Sequence, residues 1–121
     1  MNPKQFLQIG GVILILLAVI GYFKPDLAGD FLSFDANENW AHLALGIVAI
    51  LLSPLPMIEL QRWIVVLVGI VSIVIAVLGF LVRDYPSPNF YGVANLENPV
   101  DNVLHLVVGL WALFAAFNKK E

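Results

Sequence analysis

The sequence predicts an all-α membrane protein with four transmembrane helices, arranged as a tandem duplication of one helical hairpin in a compact bundle. Three observations lead there. Only 12% of the residues are charged and 60% are hydrophobic, whereas soluble domains carry about 25% charged residues. Four apolar runs approach or reach the roughly 17–25 residues that cross a bilayer. The last two runs also repeat the first two, down to the polar residues at their mouths.

The first run covers residues 6–23. Lys4 ahead of an apolar core looks like the start of a secretory signal, but no small-x-small cleavage site follows. The run ends in Gly21-Tyr22-Phe23-Lys24 and reads as an uncleaved helix. The second run, roughly 38–53, stops at Ser53-Pro54-Leu55-Pro56, because proline lacks an N–H donor and disfavours a helical residue before it. The third run, roughly 63–82, belongs to a helix expected to start near Pro56 or Met57, with Glu59 in its first turn. The fourth covers roughly 100–117. Asp35 with Glu38 resembles a capping box at the start of the second helix; Asn98 with Asp101 repeats it, with Pro99 at the first helical position. The connections 24–34 and 84–97 are apolar enough to lie at the interface, with Phe31, Phe34, Phe90 and Tyr91 as headgroup-level anchors.

At an offset of 58, GVILILLAVIG (11–21) aligns with GIVSIVIAVLG (69–79). At an offset of 63, Asn39, His42, Leu43, Gly46 and Ala49 recur as Asn102, His105, Leu106, Gly109 and Ala112. Polar residues and glycines rarely coincide in order and spacing by accident. The chain therefore reads as a single domain, 1–121, with one repeat at about 5–53 and the other at about 57–117. Two spans per repeat give both copies one orientation, related by a pseudo-twofold axis along the membrane normal. An even number of spans puts both termini on the side of the central turn. That side holds Lys4, Arg62, Lys119 and Lys120 against Glu59 and Glu121. The other holds Lys24 and Arg83 against Asp26, Asp30, Asp35, Glu38, Asp84, Glu97 and Asp101. Basic residues stay cytoplasmic, so both termini face the cytoplasm and the acidic loops face out, in a cytoplasmic (inner) membrane.

Asn39, His42, Gly46, Ala49 and Ser53 follow a 3-4-3-4 spacing, which places them on one helical stripe. Asn102, His105, Gly109, Ala112 and Ala116 repeat it, and Gly69, Ser72, Ala76 and Gly79 form another small-residue stripe. Gly11, Ala18 and Gly21 do so on the first helix. Lipid offers no hydrophobic drive to join helices, so small residues that let backbones approach supply the contact instead. Gly11, Gly21, Gly46, Gly69, Gly79 and Gly109 are therefore the expected packing positions, and the histidines share the inward stripe. Glu38 and Asp101 each stand four residues before a histidine, where a carboxylate can accept from the imidazole. The two sets share one depth and are expected to be able to meet in the bundle centre.

The favoured reading of this cluster is structural: a polar network of Asn39, His42, Asn102 and His105 that fixes helix register, since buried polar groups need partners. A sharper alternative makes His42, His105, Glu38 and Asp101 ligands of a divalent metal, although their i, i+4 spacing departs from the Glu-x-x-His of di-iron bundles. Another is haem b held by both histidines, for which close-packing stripes leave little room.

Other function classes find less support. The absence of cysteine removes disulfides and thiolate metal sites. A net charge of −3 with scattered basic residues gives no nucleic-acid footprint. The spans carry nothing charged between the outer clusters and Arg62, which argues against a monomeric channel or pump. No catalytic constellation assembles either, so no enzyme is expected. What remains is a small non-catalytic accessory or assembly subunit, in contact with the lipid bilayer and with other membrane proteins or copies of itself. Trp40, Trp63 and Trp111 would supply lateral surface.

The stretch FYGVANLENPVDNVLHLVVGLWAL (90–113), with Asn102, His105 and Gly109 echoed by Asn39, His42 and Gly46, resembles a widespread set of small bacterial four-helix membrane proteins. That set is catalogued as a domain of unknown function, and the resemblance spans nearly the whole chain. It implies a bacterial-type cytoplasmic membrane protein and no activity.

Overall fold

Four helices account for most of the chain in the computed structural model, which describes residues 1–26, 36–86 and 100–118. They are α1 (Pro3–Phe23), α2 (Ala36–Leu52), α3 (Ile58–Leu81) and α4 (Val100–Phe117). The expected caps Asp35, Asn98 and Pro99, and the anchors Phe31, Phe34, Phe90 and Tyr91, lie outside the described residues.

Helix α1 starts three residues before its apolar run because Asn2-Pro3-x-Gln5 is a complete start signal. The Asn2 Oδ1 accepts from the Gln5 N–H at 2.9 Å, and the Gln5 Oε1 accepts from the Asn2 N–H at 3.0 Å. Pro3 occupies the first turn, where its missing N–H is no loss. Three helices, α1, α3 and α4, are long and apolar enough to cross a membrane, and α2 is shorter at 17 residues. At 1.5 Å per residue α2 reaches about 25 Å, against a hydrocarbon thickness of about 30 Å. Its apolar stretch is squeezed between Asn37-Glu38-Asn39 and the stop at Ser53-Pro54. By helix hydropathy the chain is a multi-pass membrane protein.

The helices pack as two hairpins, α1 on α2 and α3 on α4. Helix α1 then makes lighter contact with both α3 and α4, while α2 comes no more than marginally near the second pair. Each hairpin crosses at a pair of facing glycines. A Cβ on Gly46 would lie 2.7 Å from Ile15 Cγ1 and 2.9 Å from the Gly11 carbonyl oxygen. A Cβ on Gly109 would lie 2.6 Å from Ile73 Cγ1 and 2.9 Å from the Gly69 oxygen. The reciprocal contacts run from Gly11 to Ile50 and from Gly69 to Leu113. Every member of the first crossing thus has its counterpart in the second at the offsets of 58 and 63.

The two hairpins join through a core of Phe6, Leu7, Val65, Ala112, Ala115 and Ala116, near the termini. Phe6 meets Trp111 edge-on, with ring centroids 4.5 Å apart. Hydrogen bonds gather the chain ends beside this core. Buried Gln61 donates from Nε2 towards the carbonyls of Leu52, Ser53 and Leu55, at 2.9, 3.2 and 2.9 Å. Arg62 Nε donates to the Ala116 carbonyl at 3.0 Å and its guanidinium pairs with Glu59. Asn118 Nδ2 donates to the Met1 carbonyl at 2.6 Å. The last carbonyls of a helix have no partner within it, so these side chains supply what bulk water would. Both termini and the 53–57 turn consequently share one end of the molecule.

Between the ends, the exterior is apolar. Trp63, Phe114 and Phe117 are exposed near the termini; Tyr22, Phe23, Trp40 and Tyr85 are exposed at the opposite end. Two aromatic girdles around a greasy waist are what a chain immersed in a bilayer presents.

Replacing Gly46 or Gly109 by Ala is expected to cost about 1–3 kcal/mol through overpacking, read by reversible unfolding in mixed detergent. Gly10→Ala, whose Cβ would meet nothing nearer than 3.9 Å, should stay within about 0.5 kcal/mol of wild type. In the same assay, Gln61→Leu should cost about 1–3 kcal/mol, because it removes the shared donor of three carbonyls.

Candidate functional site

The polar cluster sits at the end opposite the termini, on the first two turns of α2 and of α4. Glu38 and Asp101 occupy the first turns, where the positive end of the helix dipole favours a carboxylate. Asp101 is buried; Glu38, Asn39, His42 and His105 are half-buried. Asn102 is completely enclosed, at 0% exposure.

Enclosure of Asn102 depends on one glycine of the facing helix. A Cβ built on Gly79 would stand 1.8 Å from Asn102 Oδ1 and 2.7 Å from its Cγ, so the amide occupies the volume that any side chain at 79 would need. Two positions that the sequence marks for different reasons, one as a polar residue and one as a packing residue, are halves of one contact. All six packing glycines, Gly11, Gly21, Gly46, Gly69, Gly79 and Gly109, are buried.

His105 is anchored to its own helix. Its Nδ1–H donates to the main-chain carbonyl of Asp101 at 2.7 Å. A carbonyl can only accept, so this bond fixes the ring proton on Nδ1. The partner is thus the backbone oxygen one turn back, not the Asp101 carboxylate that the spacing suggests. In the first hairpin, Asn39 Oδ1 is buried with no hydrogen-bond partner among the described residues.

The two polar sets do not converge into a metal centre. Among the described residues, no three His, Asp or Glu side chains gather as metal ligands would, so Glu38, His42, Asp101 and His105 do not form a common four-ligand set. The reason lies in the helix arrangement. The histidines ride on α2 and α4, and each of these pairs with a neighbour, α1 or α3, rather than with the other. Sequence reasoning passed over Asn2 and Gln61 and used Arg62 only as a charge, not as a donor to the end of α4; the Asn-Pro-x-Gln start at residues 2–5 and a lone amide beside the Pro54/Pro56 turn were the available signals.

The chain matches no known family, no curated protein and no solved structure. The motif resemblance therefore carries no family assignment, and what stands is a small four-helix protein with three candidate membrane spans.

A double-mutant cycle tests the site's central contact. Gly79→Ala alone should cost about 1–3 kcal/mol. Adding Asn102→Ala makes room for the new methyl, so the pair should be less destabilised than the sum of the single changes, with a coupling of about 0.5–3 kcal/mol. Strict additivity would show that the two residues do not touch.

Proposed function

We propose that this chain is a non-catalytic integral protein of a bacterial inner membrane, built by duplication of one helical hairpin, that acts as an accessory or assembly subunit through its lateral surface. The observation that carries the reading is how the chain uses its faces. Both hairpins consume their small-residue faces in their own glycine crossings, and what they leave exposed is an apolar waist between aromatic girdles. That surface is what the described residues offer to a partner.

Duplication is supported by the crossings themselves. Gly11, Ile15, Gly46 and Ile50 in one hairpin answer to Gly69, Ile73, Gly109 and Leu113 in the other, under the offsets that align the sequence. A pseudo-twofold along the membrane normal then relates the hairpins, with four passes in which α2 fits by local thinning of the bilayer. In this arrangement both termini face the cytoplasm.

Two measurements test this reading. The full chain, tagged at either terminus and extracted in mild detergent, should run as an assembly of fixed stoichiometry that is larger than one chain. A strictly monomeric preparation would overturn the subunit role, and so would stoichiometric metal or a haem absorption band lost in His42→Ala and His105→Ala. For orientation, a cytoplasm-active reporter fused at either terminus should be active, and a periplasm-active one silent.

A further inference from the structure

One amide of the spans faces outward into hydrocarbon. Gln8 lies past the start of α1 at Pro3 by about 7 Å along the helix axis, beyond the core residues Phe6 and Leu7. It is exposed and has no hydrogen-bond partner among the described residues. Elsewhere in the apolar runs 6–23, 38–53, 63–82 and 100–117, the amides, carboxylates, imidazoles and serine hydroxyls are buried or half-buried, and the phenol of Tyr22 stands in the girdle. A carboxamide in lipid has no water for its donors and its acceptor, which makes this position costly. Its own chain does not relieve that cost, so the relief comes from outside the chain.

A second copy supplies the missing partner by symmetry. Copies inserted in the same sense close into a pair only about a twofold axis along the membrane normal, and such an axis brings a residue to its own counterpart at equal depth. Gln8 then meets Gln8 of the second copy, and a carboxamide complements itself, each NH₂ donating to the other's Oε1. Val12, Leu16, Val19 and Phe23 continue the stripe from Gln8 along α1, and all four are exposed. At the offset of 58 the counterpart of Gln8 is Val66, so the second hairpin offers no such amide and the association stops at a pair. We infer that two copies of this chain associate side by side along the lipid-facing stripe of α1, with reciprocal Gln8–Gln8 hydrogen bonds at the axis. This rests on the lateral-surface role proposed above and names its partner.

The chain has no cysteine, so introduced thiols report contacts without background. Val12→Cys, Val48→Cys, Val74→Cys and Val107→Cys each place a thiol on the exposed face of a different helix. Each full chain is oxidised in its membrane with copper phenanthroline, and disulfide-linked dimer is measured. Dimer should form from Val12→Cys and not from the other three. Adding Gln8→Leu should lower the yield about fivefold, in keeping with the modest worth of hydrogen bonds between membrane helices. Adding Gln8→Asn, which keeps the amide, should lower it less; position 8 is exposed, so neither change disturbs the core. Equal yields with and without Gln8→Leu would overturn the inference, as would dimer formed only through another helix. Both of those results leave the subunit role standing, and so does a larger assembly with other proteins in which Val12→Cys forms no dimer, which also overturns the pairing. A strictly monomeric chain, its Gln8 amide turned to the headgroups, removes the pairing and the subunit role together.

Discussion

Backbone-to-backbone approach at two pairs of glycines is the contact on which the rest of this molecule depends. Within a bilayer, helices gain nothing by hiding apolar side chains from lipid, so association rests on close van der Waals contact. Gly11 against Gly46 and Gly69 against Gly109 let the helices come near enough for Ile15, Ile50, Ile73 and Leu113 to fold over the crossings. Once α3 and α4 are held at that distance, the gap near their far end is just wide enough for Asn102, provided that residue 79 has no side chain. The polar end of the second hairpin is in this sense a consequence of its apolar middle.

The two ends of the bundle solve the same problem with different means. Free carbonyls and amides are costly beside hydrocarbon. Near the termini, Gln61 and Arg62 reach from the start of α3 to the carbonyls that close α2 and α4. At the other end, His105 turns back onto its own helix and Asn102 is packed against Gly79. Among the described residues no three His, Asp or Glu side chains gather at either end, and the proposed role rests on the lateral surface.

The two hairpins are not equally enclosed. Helix α1 contacts both helices of the second hairpin, whereas α2 hangs almost entirely on α1. In line with this offset, Asp101 and Asn102 of α4 are buried, whereas Glu38, Asn39 and His42 of α2 are half-buried.

Much of the architecture was legible in the chain itself, because its signals are local. Apolar runs bounded by Lys24, by Ser53-Pro54 and by acidic helix starts define the helices, and the 3-4 spacing of glycines and alanines defines the packing stripes; both follow from backbone geometry and need no knowledge of neighbours. Tertiary structure decided which stripes face each other. It paired Asn102 with Gly79, gave His105 a backbone partner instead of a carboxylate, and kept His42 and His105 on helices that do not pair, although one shared depth suggested that they could meet. The physical reason is that a helical pattern states which residues share a face but not which helix that face meets. In lipid that choice rests on the fit of a few ångströms between particular side chains.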